Sequence, residues 1–465
     1  SITAADYAAI YAKNADKVFV TLAEGAGNSL TVSGDYVQTD DNNVDAVIFA
    51  KCDLTLNGTG SLTVKDNTGH GIVSKDDLVV TGGTYTIYSQ DHCLNGKDSV
   101  RIADGTFNLS CDEDGIHAGN DDQQDGYVYI EGGDINISVG DDALHAEGLL
   151  IITGGDIDVS KSCEGVEGYK ILVTGGDIDV ISSDDGFNAA GGSSGSGDNH
   201  DGFGDGPGMG GVDMDADNDA YILITGGRIN INANGDGIDS NGCIGITGGS
   251  VYVLGPSDNG NGAMDYGICA AITGGEIVAV GGSGMAQGFG DESTQCSALV
   301  NFDEWVDAGE TITLTDSDGK EVFSYKVDKK FNSVVISTSD MKQGDNYTLT
   351  VGDQNSTFTL DDITYSEGSG GMQRPGGNLD NGGIQRPGGN SDDGNMQRPG
   401  GNSDDGNMQR PGGNSDDGNM QRPGGNSDDG NMQRLDGDSD NGQNDSTNGS
   451  SQNKDNSSIS DSMSI

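Results

Sequence analysis

The sequence predicts an all-β chain wound as a right-handed parallel β-helix, a solenoid of about 22 residues per coil. Three observations predict it. The phrase Thr-Gly-Gly stands at Thr81-Gly82-Gly83, Thr153-Gly154-Gly155, Thr174-Gly175-Gly176, Thr225-Gly226-Gly227, Thr247-Gly248-Gly249 and Thr273-Gly274-Gly275. Variants at Gly58-Thr59-Gly60, Ala103-Asp104-Gly105 and Glu131-Gly132-Gly133 fill the gaps. The last glycines lie 23, 22, 28, 22, 21, 51, 22 and 26 residues apart, and the long step holds an insertion. A fixed short period marks stacked coils. The third observation is the strict alternation of apolar and polar residues after each glycine pair, with helical periodicity nearly absent.

Each repeat has the same parts. A short apolar strand precedes the glycines, as in Leu78-Val79-Val80 and Leu149-Leu150-Ile151-Ile152. A second strand follows them, with inward pairs such as Phe107 and Leu109, Ile135 and Ile137, Ile157 and Val159, or Ile178 and Val180. The same positions are apolar in every repeat, so stacking builds an interior ladder that no single repeat can bury. The glycines permit a positive φ or a close backbone approach at the bend. Right-handedness follows from the rule for parallel crossovers. At the start of the chain, Thr3 and Asp6 have the form of a weak capping box. Lys13 to Asp16, however, echoes Ala50 to Asp53, so Ala9-Ile10 through Val18-Phe19-Val20 reads as one more β coil.

The solenoid is expected over 1–295, with a Gly- and Asp-rich insertion at 190–219. Residues 296–365 change character: Thr311-Ile312-Thr313-Leu314 and Tyr347-Thr348-Leu349-Thr350-Val351 alternate, and Asp316-Ser317-Asp318-Gly319 reads as a hairpin turn. This small β element would cap the open end of the solenoid, where bare strand edges invite aggregation. Residues 366–465 lack Phe, Trp and Tyr and repeat a twelve-residue unit, Met-Gln-Arg-Pro-Gly-Gly-Asn-Ser-Asp-Asp-Gly-Asn. Such a composition buries too little apolar surface to offset ordering entropy, and a disordered tail is expected.

The formal charge is −54, of which residues 1–365 hold 60 acidic and 15 basic side chains. That excess excludes nucleic acid and anionic membrane surfaces as partners. It suits a chain that meets cations outside the cell, and an extracellular or cell-surface monomer is expected. No stretch approaches the roughly 18 apolar residues of a membrane span. The chain opens without an initiator Met or a signal peptide, so a mature or trimmed form is expected. Seven cysteines at scattered repeat positions, without C-x-x-C, read as buried free thiols, with one or two disulfides as the alternative.

A second phrase stays in register with the glycines. It reads Asp112-Glu113-Asp114-Gly115-Ile116-His117, Asp141-Asp142-Ala143-Leu144-His145, Cys163-Glu164-Gly165-Val166-Glu167, Asp184-Asp185-Gly186-Phe187-Asn188 and Gly235-Asp236-Gly237-Ile238-Asp239. Stacking makes a column of Asp114, Asp142, Glu164, Asp185 and Asp236. A second column holds Glu113, Asp141 and Asp184, and a third His117, His145, Glu167, Asn188 and Asp239. Rungs lie ~4.8 Å apart, where two carboxylates repel by roughly 3–4 kcal/mol at an effective dielectric near 20. A calcium ion midway would sit ~2.4 Å from each, matching calcium–oxygen bonds. Oxygen donors in quantity select Ca2+ over zinc. The expected metal ligands are Glu113, Asp114, Asp141, Asp142, Glu164, Glu167, Asp184, Asp185, Asp236 and Asp239, with the histidines as polar turn residues. Asp-Gly turn chemistry alone accounts for one acid per coil but not for the doubled acid or the third column.

A further ladder, Asp134, Asp156 and Asp177 beside Asn136, Asp158 and Asp179, reads as a solvated face, with additional calcium as the alternative. Asp213 to Asp219 has the alternating acids of an EF-hand loop. It lacks the glycine and the closing Glu, since Asn218 and Ile224 hold those positions, so an EF-hand is rejected.

The run Asp16-Lys17-Val18-Phe19-Val20-Thr21-Leu22-Ala23-Glu24-Gly25, the Thr-Gly-Gly-Asp-Ile-Asp-Val units and the Asp-Asp-Gly-Ile-His-Ala turns resemble the clostridial carbohydrate-binding β-helix proteins, relatives of the pectate-lyase superfold. The resemblance spans residues 8 to about 360. It implies an extracellular binder of acidic plant cell-wall polysaccharide (polygalacturonate or pectin), and of cellulose, with bound calcium. Catalysis on this superfold needs more. Pectate lyases place a Lys or Arg beside the metal, yet Arg101, Arg228, Lys161 and Lys170 lie outside the acidic turns. Gly69-His70-Gly71 precedes the acidic pairs, and the Arg-Ile-Lys of polygalacturonases is absent, so His70 reads as a turn residue. The expectation is a non-catalytic protein that binds acidic glycan through calcium, with Tyr88 and Tyr252 as exposed candidates for sugar stacking. The alternatives are a calcium-stabilised structural or adhesive surface protein and a calcium-dependent polysaccharide lyase.

Overall fold

The computed structural model describes residues 1–119, 126–190, 217 and 219–367. The tail from 368 onward and nearly all of the insertion lie outside the described residues, including the EF-hand-like stretch save Asp217 and Asp219. The described residues form strands and turns only, and among them no helix is long and apolar enough to cross a membrane.

The chain winds as a parallel β-solenoid. One sheet of 14 strands stacks the strands that follow the glycines, and a second of 18 strands holds the rest of each coil. The register is fixed residue by residue. Phe107 pairs with Ile135, Ile135 with Ile157, Ile157 with Ile178 and Ile178 with Ile229. Phe107, Ile135, Ile157, Ile178 and Ile229 are fully buried. Each such side chain contributes about 1.5–3 kcal/mol by leaving water. At the start of the chain, Ile10–Ala12 pairs with Ala46–Ala50 and Lys17–Leu22 with Asp53–Gly58, so this segment is a coil, as its echo of Ala50 to Asp53 predicts.

Two features differ from expectation. The sequence predicts two strands per coil, and the structure has three. The phrase Asp-Asp-Gly-Ile-His-Ala is not a turn throughout, because its last residues form short strands such as Ile116–Ala118 and Ile238–Ser240. Three residues are too few to show a period in sequence. In two coils the short strand runs straight into the next one, as Leu144–Ile152 and Val166–Val173. The second difference concerns cysteine. Cys243 and Cys269 form a disulfide between neighbouring coils and stand directly opposite each other in the ladder. Each lies six residues before the last glycine of its repeat, so they share one repeat position after all. Cys52, Cys93, Cys111 and Cys296 are buried free thiols, and Cys163 is half-buried and free.

The last strand of the solenoid stack, Glu276–Gly281, is covered by Phe331–Ser337, which runs antiparallel and also pairs with Ser297–Val306. A separate four-stranded antiparallel sheet follows, with Asp316 accepting hydrogen bonds from the Asp318 and Lys320 amides at its hairpin. Phe331, Ile336 and Leu349 lie in a second core beneath it.

Gly227 shows why the bend needs glycine. Its φ is +90°, and a Cβ there would lie 3.0 Å from the Gly176 carbonyl oxygen of the coil before. Gly227→Ala should cost more than about 1 kcal/mol. Ile178→Ala, which opens a cavity in the ladder, should cost about 2–5 kcal/mol. Denaturant melts of the full chain check both, and an Ile178→Ala midpoint equal to wild type would refute the shared-core reading.

Candidate functional site

The turn between the outer strand of one coil and its short strand carries the acidic phrase. In the short strand the flanking residues point inward, as buried Ile116 and Ala118 or Leu144 and Ala146, so the middle residue faces outward. Parallel pairing then stacks these middle residues: Asn95, His117, His145, Glu167, Asn188, Asp239 and Asp265 form one column. The second acids form another, held by backbone bonds such as Gly115 N–H to Asp142 O and Gly186 N–H to Asp236 O, each 2.9 Å. That column continues through His92 and His70, because the Cys93 amide donates to Asp114 O and the Gly71 amide to His92 O. Asn95, Asp265 and His92 escape the sequence reading, and His70, read there as a turn residue, joins the acid column. Their phrases, Asp91-His92-Cys93-Leu94-Asn95 and Gly69-His70-Gly71-Ile72-Val73, were the available signal.

The second acids do more than face one another. Asp114 Oδ1 accepts the Asp142 N–H at 3.0 Å, Asp142 Oδ1 the Glu164 N–H at 3.2 Å, and Asp185 Oδ1 the Asp236 N–H at 2.6 Å. Each carboxylate is therefore bonded to the backbone of the following coil, a compensation that a count of charges overlooks. His145 supplies the cationic partner. Its Nδ1 lies 3.2 Å from Asp142 Oδ2, 3.3 Å from Glu167 Oε2 and 3.6 Å from Asp114 Oδ2.

Burial and crowding shift the titrations. Burial, then the field of Asp142, pushes Asp114 and Glu164 each up to about 8. Burial, with the fields of Asp185, Asp239 and Asp265, takes Asp236 to about 8 against the Gly262 amide bond that lowers it, and burial with the hydrogen bond to Asp142 takes Glu167 to about 10. Burial opposes a charge on His145, yet its bond to Asp142 and the nearby carboxylates raise it to about 10. Burial also works upward on Asp142, but the bonds from His145 and Glu167 outweigh it and hold that carboxyl below its usual range. Burial lowers His70 to about 4 and His92 to about 3, and it lowers His117 as well.

Of the ten sequence-predicted ligands, seven are brought together. Asp142, Glu164 and Glu167 offer one ligand atom each within 4.8 Å of one another, as do Asp185, Asp236 and Asp239, and Asp114 and Asp142 with His145. Oxygens on opposite sides of a calcium ion stand up to ~5 Å apart, so the two all-carboxylate groups match that ion's reach. Glu113, Asp141 and Asp184 join no such group among the described residues. They lie in the same turns one residue before the second acids, and Glu113 and Asp141 are exposed; Glu113 Oε2 lies 3.5 Å from His92 Nε2 instead. The histidines expected to be plain turn residues enter three groups: His92, Asp114 and His117; His117, His145 and Glu147; and Asp114, Asp142 and His145.

The outer ladder is in register, Asp134 with Asp156 and Asp156 with Asp177. Arg228 meets Asp177 at 3.0 Å. Among the described residues none of its six members joins a ligand group, as befits a solvated face. Tyr88 is exposed, with Lys65 Nζ 5.4 Å from its ring centre. Tyr252 is not exposed as expected. It is half-buried, stacked on Tyr325 at 4.9 Å and bonded to Glu276, because the C-terminal sheet packs there.

The strand Leu144–Ile152 carries His145, Glu147, Leu149 and Ile151 on one outward face. In the coils on either side, Tyr127, Leu149, Lys170 and Tyr221 align in one row, and Tyr129, Ile151, Leu172 and Leu223 in the next. All eight are half-buried, and Lys170 Nζ lies 5.6 and 5.7 Å from the Tyr169 and Tyr221 ring centres. With its rows stepping 21 to 51 residues in sequence, this largely apolar surface escapes the sequence reading.

Asp236 holds its proton up to about 8 in the fold and to 3.8 when unfolded. Its favourable share is therefore complete at low pH and is lost as pH rises through about 8. In chelator, the melting temperature should fall between about pH 6.5 and about pH 8, where Asp236, Asp114, Glu164 and His145 all keep protons that the unfolded chain releases. Asp236→Asn should flatten that fall. An equal slope in the variant would show that Asp236 is ionised throughout.

Residues 1–202 match the family described as carbohydrate-binding domain-containing protein. A carbohydrate-binding domain-containing protein of Acetivibrio thermocellus is 38% identical over 174 residues, covering 36% of this chain. The chain spans 61% of that relative's length. The structure of the polysaccharide lyase-like protein from C. thermocellum, a gadolinium derivative, is 34% identical. That match covers 39% of this chain and 69% of that one, with a TM-score of 0.32. Over its first 202 residues the chain is thus similar to the carbohydrate-binding domain-containing proteins.

Proposed function

We propose that the protein is a non-catalytic, extracellular binder of acidic plant cell-wall polysaccharide that uses calcium as the bridge. The carrying observation is the outward face on which cation-sized carboxylate groups lie beside rows of Tyr, Leu and Ile. From His145 to Leu149 is four residues, or about 13 Å along a strand. A glycan chain lying along the strand direction would meet both. Calcium held by Asp142, Glu164 and Glu167, or by Asp185, Asp236 and Asp239, would keep coordination positions for uronate oxygens. Without it, two polyanions repel. The apolar rows offer ring faces to sugars and extend the reading to cellulose, since stacking needs no charge on the glycan.

The basic residues support binding without catalysis. Arg101 is paired with Asp77, Arg228 with Asp177, and Lys170 lies over two tyrosines, so each of these charges is engaged outside the carboxylate groups. A second reading is favoured by the bonds that Asp114, Asp142 and Asp185 accept from the next coil's amide, which make this part of the column a clamp between coils. In that case calcium would only stiffen a stalk.

Retention of the full chain on insoluble polygalacturonate, with calcium and then with excess chelator, separates the readings. Calcium-dependent retention is expected, reduced roughly tenfold by Asp185→Asn with Asp239→Asn, or about 1.4 kcal/mol. Retention that survives chelation would sink the bridging role. No retention in either condition, with a melting temperature that falls on chelation, would establish the stalk.

A further inference from the structure

Four histidines form a continuous stack across successive coils. His70 lies on His92 with ring centres 5.0 Å apart, His92 on His117 at 4.4 Å, and His117 meets His145 edge to face at 5.1 Å. The first two contacts are face to face, at 29° and 9°. Stacked rings hold their in-plane lone pairs side by side, so these pairs do not converge on one point. The third contact turns the rings by 73°, and there the nitrogens can converge.

The anchoring of those two rings decides which nitrogens are offered. His117 Nδ1 faces Asn95 Oδ1 at 3.3 Å, and His145 Nδ1 faces Asp142 Oδ2 at 3.2 Å. Each Nδ1–H therefore has an oxygen acceptor, which leaves Nε2 of each ring as the donor atom. An imidazole whose second nitrogen is fixed by a carboxylate or amide oxygen is the arrangement that orients histidine ligands at metal centres. Glu147 completes the set: its Oε1 lies 3.9 Å from His145 Nε2. One ligand atom from each of His117, His145 and Glu147 lies within 4.8 Å of the others. Room for the carboxylate depends on Gly119, where a Cβ would stand 2.1 Å from Glu147 Cγ.

We propose that His117, His145 and Glu147 form a site for one borderline divalent transition-metal ion of the zinc class, distinct from the all-carboxylate groups of the later coils. Two imidazole nitrogens and one carboxylate are a donor set that favours zinc, copper or nickel over calcium. Three protein ligands leave a fourth tetrahedral position for water or a ligand oxygen. Tetrahedral ligands of zinc stand about 3.3 Å apart, so binding draws the three side chains inward by rotation about their χ angles. The ion takes the place of the proton on His145 Nε2, and that proton is released to solvent while Nδ1–H keeps its bond to Asp142. The inference does not rest on the calcium bridge. The column grades from nitrogen donors at one end to oxygen donors at the other.

The test uses the full chain, stripped with chelator and dialysed, and titrated with zinc by calorimetry in a large excess of calcium. Cobalt serves as the visible-absorbing probe of imidazole ligation. One zinc per chain is expected to bind despite the calcium. His117→Ala, His145→Asn and Glu147→Gln should each weaken it roughly tenfold or more. Asp236→Asn should leave it unchanged, and Gly119→Ala should weaken it by displacing Glu147. Calcium that displaces zinc in simple competition would overturn the proposal, as would undiminished zinc binding in His117→Ala with Glu147→Gln. Should His145→Asn fail to fold, His117→Ala and Glu147→Gln carry the test, with melting curves to confirm their fold.

Discussion

Parallel stacking of equivalent residues at the spacing of a β ladder is the constraint on which the rest of this molecule depends. Each coil lends its backbone amides and carbonyls to the next, so a side chain at one repeat position stands above its counterpart from the preceding coil. For Phe107, Ile135, Ile157, Ile178 and Ile229 this is an unqualified gain, because identical apolar groups stack into a continuous buried column. The same geometry forces like onto like wherever the repeated residue is charged. A fold that builds its core from repetition must also tolerate repeated carboxylates, about 4.8 Å apart.

The acidic turns show three physical answers to that tension. A carboxylate accepts a hydrogen bond from the amide of the coil that follows, as Asp114 does from Asp142. A single imidazole, His145, sits among Asp114, Asp142 and Glu167 and offsets their charge. Protonation is the third, visible in the raised titration of Asp114, Glu164 and Asp236. A bound cation would be a fourth, and would relieve the repulsion without tying up a proton. All four act on the same oxygen atoms, so proton occupancy, coil stability and cation affinity are linked at this edge of the solenoid.

Continuity of strand joins this edge to the apolar surface beside it. In most coils a short strand carries the polar column and a separate strand follows, but Leu144–Ile152 and Val166–Val173 bridge both. Ionic and apolar groups are then set on one rigid face at a fixed separation, which suits a ligand that is both charged and flat, such as a chain of acidic sugars. The disulfide between Cys243 and Cys269 ties neighbouring coils on the same sheet a little further along. Preorganisation of this kind lowers the entropy cost of gripping an extended polymer.

Repetition is why so much was legible before any coordinates. Glycine spacing set the coil length, alternation set the buried face, and aligning the acidic phrases placed Asp114, Asp142, Glu164, Asp185 and Asp236 in one column, because in a solenoid sequence offset is spatial position. The sequence by itself thus determined the architecture and the presence of stacked acids. Only the tertiary structure decided what depends on direction and reach. It showed that Ile116–Ala118 is a strand, that Glu113, Asp141 and Asp184 stand apart from the ligand groups, and that His92 and His70 extend the acid column. It also placed Tyr127 in line with Leu149 and Tyr221 in line with Lys170 on one face, and half-buried Tyr252 against Tyr325. Period and offset say which residues share a rung. Rotamers, hydrogen bonds and neighbouring elements determine which atoms can meet, and those exist only once the chain is folded.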